Sequence, residues 1–219
     1  MTVLIEAAVE TLEGAILAER EGAGRLEVCG DLARGGITPG PGVLRVIRQA
    51  IEIPLMVMIR PRPGSFRFSP GECEAMLADV AHARRAGADG VVIGLLTARG
   101  GIDREWTARL VEAADPLPVT FHRAFDRTPD LEESLELLAG VGVCRVLTSG
   151  GMPTAMEGRD RLRRLQELGG GRIRILPGGG VRATNAAAIA LTTGSGELHV
   201  GFPMDVPPGR IAEVAAALL

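Results

Sequence analysis

Val119-Thr120-Phe121-His122-Arg123-Ala124-Phe125-Asp126 is an apolar strand that runs straight into His, Arg and Asp. Alternation sends Val119 and Phe121 to one face and Thr120 and His122 to the other. The apolar face asks for a covering layer, and the polar face delivers chemistry to the strand's C-terminal end. A buried sheet with a functional edge is the reading that this octapeptide imposes on its surroundings. The plainer alternative is a hydrogen-bonded core histidine beside a solvated loop.

Seven further segments have the same character: Val3-Ala7, Arg25-Cys29, Leu55-Arg60, Gly90-Gly94, Arg145-Thr148, Arg174-Pro177 and Glu197-Val200. Each start is separated from the next by room for one helix and two loops, the pattern of βα units around a parallel sheet. Helical signals fill the gaps. Ser69-Pro70-Gly71-Glu72 is a capping box with Pro at the first helical position, and Met76, Leu77, Val80 and Ala83 follow at helical spacing. Thr128-Pro129 opens a helix carrying Leu131, Leu135 and Leu138, Asp103 caps one carrying Trp106, and Thr154-Leu168 and Ala183-Thr193 read as two more. Eight such units predict an α/β fold, a single TIM-like (β/α)8 barrel, with residues 1–219 forming one domain.

Composition narrows the function classes. The net charge is −3, acids and bases are interspersed, and there is no Tyr, one Trp and five Phe, so a nucleic-acid partner is not expected. No apolar run approaches the ~20 residues of a membrane span, and no signal segment opens the chain, so a soluble cytoplasmic protein is expected. Cys29, Cys73 and Cys144 have neither disulfide-framework nor zinc-knuckle spacing. There is no lysine among the 219 residues, which excludes Schiff-base chemistry by a side-chain amine. Apolar surface on the outer helices makes a homo-oligomer plausible without locating an interface.

Strand parity turns Glu6, Arg25, Glu27, Cys29, Met56, Met58, Arg60, His122, Glu197 and His199 toward the barrel axis. Glu6, Glu27, Arg60, His122, Thr148 and His199 are expected toward the C-terminal ends, where barrel active sites lie, whereas Arg25 and Arg174 fall at the bottom as expected ion-pair members. Inward charges need partners, and a Glu27–Arg60 pair is the simplest. Arg60 and Arg123, with Asp126 nearby, suit the clamping of a carboxylate or phosphate, and His122, His199 or Glu27 suits acid–base work. Thr148-Ser149-Gly150-Gly151 after the sixth strand, Gly178-Gly179-Gly180 after the seventh and Gly201 after the eighth are candidate anion cradles; for the Gly178–Gly180 run, a tight turn needing positive φ is the alternative. Two metal readings stay open. Cys29 with Met56 or Met58 offers soft sulfur to Cu(I), and Glu27, His122 and His199 offer a harder site to a divalent ion.

The assembled motifs resemble the copper homeostasis protein CutC family. They are Leu26-Glu27-Val28-Cys29, Gly35-Gly36-Ile37-Thr38-Pro39, Met58-Ile59-Arg60-Pro61-Arg62-Pro63-Gly64-Ser65-Phe66, the opening octapeptide, Arg145-Val146-Leu147-Thr148-Ser149-Gly150 and Pro177-Gly178-Gly179-Gly180-Val181. The resemblance implies a TIM-like barrel, a cytoplasmic location and a role in copper homeostasis, with copper, Cu(I), bound through Cys29. The first loop reads Ala7-Ala8-Val9, where some relatives carry further cysteines. The matching positions are mostly Arg, His, Asp, Thr and Gly, which suit an anionic small molecule better than Cu(I), and the alternative is a barrel enzyme acting on a phosphorylated or carboxylated small molecule by histidine acid–base chemistry. The ligand is accordingly expected to be a small molecule or a metal.

Overall fold

A computed structural model of the chain describes residues 3–203 and 207–219. Strands β1 (Leu4–Val9), β2 (Arg25–Val28), β3 (Leu55–Met58), β4 (Gly90–Ile93), β5 (Val119–Phe121), β6 (Arg145–Thr148), β7 (Arg174–Pro177) and β8 (Glu197–Gly201) alternate with eight helices. The helices are α1 (Leu12–Arg20), α2 (Pro41–Ala50), α3 (Pro70–Arg85), α4 (Arg104–Ala114), α5 (Leu131–Gly140), α6 (Arg159–Gly169), α7 (Ala183–Thr193) and α8 (Arg210–Ala216). All strand pairs are parallel, in the order β7-β6-β5-β4-β3-β2-β1-β8. A parallel bridge between Gly178 and His199 brings the two ends of the sheet together. The result is the expected TIM-like barrel, nearly closed. No helix among the described residues is long and apolar enough to cross a membrane.

The outward faces of the strands and the inward faces of the helices make one continuous core. Ile5, Ala7, Leu26, Val28, Val57, Ile59, Val119 and Phe121 meet Leu44, Ile47, Met76, Val80, Leu110, Leu135 and Leu138 there. Each buried Leu, Ile or Phe contributes about 1.5–3 kcal/mol, which is why this face turns to the helices and leaves the polar set to the axis. The Ser69 hydroxyl accepts from Glu72 N and the Glu72 carboxylate accepts from Ser69 N, so the capping box forms as the sequence predicts. The Asp103 side chain likewise accepts from Trp106 N.

Two helix starts differ from the sequence reading. α5 begins at Leu131, capped by Asp130, whose carboxylate accepts from the amides of Glu132 and Glu133. Thr128 instead donates its hydroxyl to Phe125 O, closing a 3-10 turn over Phe125–Arg127. α6 begins at Arg159, not near Thr154, because the chain at Gly158 is pressed against the β6 loop. A Cβ built on Gly158 would lie 1.9 Å from Ser149 O.

The lower half of the barrel interior is an ion-pair lattice. Arg25 bonds to Glu6 and, through Nη2, to Glu197 Oε2 at 2.7 Å. Arg145 reaches Glu197 Oε1 from Nε at 2.8 Å and Thr120 Oγ1 from Nη1 at 3.2 Å. Arg25 therefore has the expected bottom-layer role, but Arg174 does not: it is exposed at the start of β7, and its register partner Arg145 fills the position.

Candidate functional site

Above this lattice the barrel opens at its C-terminal end into a cavity of about 1150 Å³. Its floor is the place where β1, β2 and β8 run side by side. The registers Glu6↔His199 and Ala8↔Glu27 bring three polar side chains to one spot. Glu6 Oε1 lies 2.8 Å from His199 Nδ1, which turns Nε2 toward Glu27 Oε2 at 3.9 Å. Cys29 Sγ is 3.6 Å from the same Glu27 oxygen, and Glu27 Oε1 has no hydrogen-bond partner among the described residues. Ligand atoms of Glu6, Glu27 and His199 lie within 4.8 Å of one another, close enough for a metal ion. Cys29 continues into a small interior cluster with Met56, Met58 and Val92.

Burial sets the protonation of this floor. It would raise Glu6, but the hydrogen bond from His199 and the charge of Arg25 outweigh it and hold the carboxyl at about 2. Burial pushes Glu27 up to about 7 against the pull of His199. The Cys29 thiol is pushed well above its ordinary range by burial and by the neighbouring Glu27 charge. Burial would lower His199, yet the carboxylates of Glu6 and Glu27 raise it.

A family model described as CutC matches residues 3–203. The chain belongs to the CutC family. The mouse copper homeostasis protein cutC homolog is 47% identical over 196 residues, which is 90% of this chain and 72% of that protein. A CutC family protein from Histophilus somni (strain 2336) is 45% identical over 90% of this chain and 81% of its own length. The crystal structure of CutC from Streptococcus agalactiae superposes with a TM-score of 0.87 at 34% identity, covering 93% of this chain and all of that one (100%).

In this CutC chain His122 is held differently from a proton shuttle. Its Nδ1 accepts from Ala124 N at 3.1 Å, which assigns the ring proton to Nε2, and that buried atom has no partner among the described residues. Burial and the charge of Arg60 depress its pKa to about 3. His122 is thus a neutral, fixed N–H donor at physiological pH rather than the acid or base that its residue type suggests. Folded His122 titrates at about 3 against an ordinary 6.5, so between those values only the unfolded chain takes up this proton. Its contribution is present above pH 6.5 and falls as pH drops, on the order of 3 kcal/mol by pH 4. His122→Gln keeps a donor without the titration. Thermal melts should show the variant gaining on the parent from pH 7 to about 4; a difference independent of pH would refute the buried neutral ring.

The expected Glu27–Arg60 pair is absent, because the register sends Glu27 toward Cys29 and His199. Arg60 instead donates to the carbonyls of Gly35, Gly36 and Gly64. Thr148 turns outward, and Leu147 lines the cavity in its place. Asp126 also has an internal role. It accepts from Thr148 Oγ1, from Ser149 N and Gly151 N at 3.1 and 3.0 Å, and from Arg123 Nε at 2.9 Å. The amides after β6 that were expected to cradle a ligand anion are therefore occupied by this carboxylate.

None of Thr148, Ser149, Gly150, Gly178, Gly179 and Gly180 is in the cavity lining. Gly179, at φ 102°, leaves room for Arg123, whose Nη1 would be 3.0 Å from a Cβ there. Arg123 is further anchored by Ser149 Oγ at 2.8 Å. These loops position the arginine that lines the cavity.

Sequence reasoning gave no role to Gly94, Phe66 and the outer arginines. A Cβ on Gly94 would lie 2.1 Å from His122 Cε1, so the missing side chain is the space that the imidazole occupies. Phe66 packs on His122 with ring centroids 5.0 Å apart. Arg34, Arg67, Arg127, Arg182 and Arg210 line the cavity beside Arg60 and Arg123, against the carboxylates of Glu27 and Asp126 alone among the described residues. The available signal was position: each outer arginine lies after the end of a strand and no later than the first residue of the α-helix that follows it.

Proposed function

We propose that this protein works in copper homeostasis and takes up Cu(I) as cargo at the floor of the barrel mouth. The observation that carries the reading is that Cys29 Sγ and His199 Nε2 both lie against the same Glu27 carboxylate oxygen, at 3.6 and 3.9 Å. The partnerless Glu27 Oε1 fits a missing cation, and Glu6 on His199 Nδ1 is the carboxylate–histidine support that metal-binding imidazoles commonly have. Sulfur from Cys29, with Met58 and Met56 in the same cluster, supplies the softness that Cu(I) prefers. The relatives named copper homeostasis proteins support the same reading.

Binding requires the Cys29 thiolate and a free His199 Nε2, so both atoms give up protons as the cation enters. We propose a cytoplasmic setting, in which the unpaired Cys29, Cys73 and Cys144 stay reduced. In an anaerobic competition titration against a Cu(I) chelator, Cys29→Ser should lower affinity at least tenfold and Glu27→Gln by less. Unchanged affinity in Cys29→Ser would reject the site.

A further inference from the structure

Arg60 is 3% exposed and carries a charge that no accessible pH removes. Its Nη1 donates to Gly35 O and Gly36 O at 3.0 and 2.9 Å, and its Nη2 to Gly64 O at 3.0 Å. These acceptors are neutral carbonyls. No carboxylate partners Arg60 among the described residues, and its buried Nε has no acceptor. A buried ion without a counterion is strongly unfavourable, and a water molecule satisfies the donor without cancelling the charge.

His122 repeats the pattern beside it. Its Nε2–H is a buried donor with no acceptor, and the ring tautomer is locked by Ala124 N. Phe66 joins the two groups, with the Arg60 guanidinium 4.7 Å from its centroid and the His122 ring 5.0 Å away. Arg60, Phe66 and His122 all line the cavity. Two orphaned donors, one of them cationic, flank an apolar ring on one wall.

We infer that the cavity binds a small organic oxyanion, whose phosphate or carboxylate is the counterion of Arg60 and whose neutral oxygen accepts from His122 Nε2. Phe66 contacts the carbon body, and Arg123 and the outer arginines draw the anion inward. This site uses none of Cys29, Glu27 or His199, so it stands or falls apart from copper.

The test uses the full-length protein after chelator treatment, with inorganic phosphate, glycerol 3-phosphate and glycerate as probes in calorimetry and thermal shift. At least one organic probe should bind tenfold tighter than inorganic phosphate and raise the melting temperature. The tighter of the two organic probes identifies the anionic group. Arg60→Met should weaken that binding at least tenfold, and so should His122→Leu, which spares the three carbonyl contacts of Arg60 should the first variant fail to fold. Three results would overturn the inference: neither organic probe binds, inorganic phosphate binds as tightly as both, or the folded variants bind like the parent.

Discussion

Glu197→Ala should unfold at a melting temperature about 10 °C below that of the parent, a loss of about 3–5 kcal/mol. Glu197 is the node of the lower lattice, taking Arg25 on Oε2 and Arg145 on Oε1. All three side chains are at most 9% exposed, so water cannot replace the lost carboxylate. Alanine leaves two guanidiniums with only Glu6 for charge and Thr120 for a hydrogen bond. The comparison is Arg172→Ala, which breaks a pair with Glu136 whose side chains are 57% and 54% exposed. That loss should stay within about 1 kcal/mol, because exposed pairs are screened. Denaturant melts of the two variants side by side check the claim; equal losses would mean that the lattice does not carry its charges as described.

Gly158→Ala should be nearly as damaging, at about 3 kcal/mol, and for a steric reason. The Cβ position lies 1.9 Å from Ser149 O and 2.9 Å from Ser149 C, which are backbone atoms with no rotamer to yield. Relief requires the β6 loop to move, and that loop holds Asp126 and Arg123 through Ser149. The variant should therefore lose both stability and the fixed orientation of Arg123. Gly42→Ala is the contrasting change, since nothing lies within 4 Å of its Cβ position in α2. It should raise stability by up to about 1 kcal/mol, as alanine does in an open helical position. A thermal melt of each variant separates the two outcomes by sign.

The barrel was legible because two periodicities agree. Alternation in Leu26-Glu27-Val28-Cys29 and in Val119-Thr120-Phe121-His122 fixes which face meets the helices, and the helical spacing after Ser69-Pro70 supplies that layer. Parity also selected Glu27, Arg60, His122 and His199 for the interior, and the structure brings all four to the cavity. Pairing within the interior was not legible, because it depends on stagger between strands. Glu6 lies opposite His199 only through the β1–β8 register, and no local signal fixes that offset. The same lack hid the difference between Arg145 and Arg174, which begin adjacent strands in identical fashion.

Loop roles were obscure for another reason. A glycine that gives a ligand access and a glycine that makes room for a side chain look alike in sequence. Gly179 and Gly94 are of the second kind, serving Arg123 and His122. Asp126 similarly resembles a catalytic carboxylate until its acceptors are counted and found engaged by the β6 loop.

The cationic lining of the mouth consists of arginine throughout, in a chain without lysine. Guanidinium groups keep their protons across every cellular acidity, so the attraction at this entrance has no titration midpoint. Its reach is set instead by dissolved ions, from about 30 Å at 0.01 M salt to about 8 Å at 0.15 M. The pull of this entrance on an anion is in consequence tuned by the ionic strength of the surroundings, while acidity acts only on the groups deeper inside.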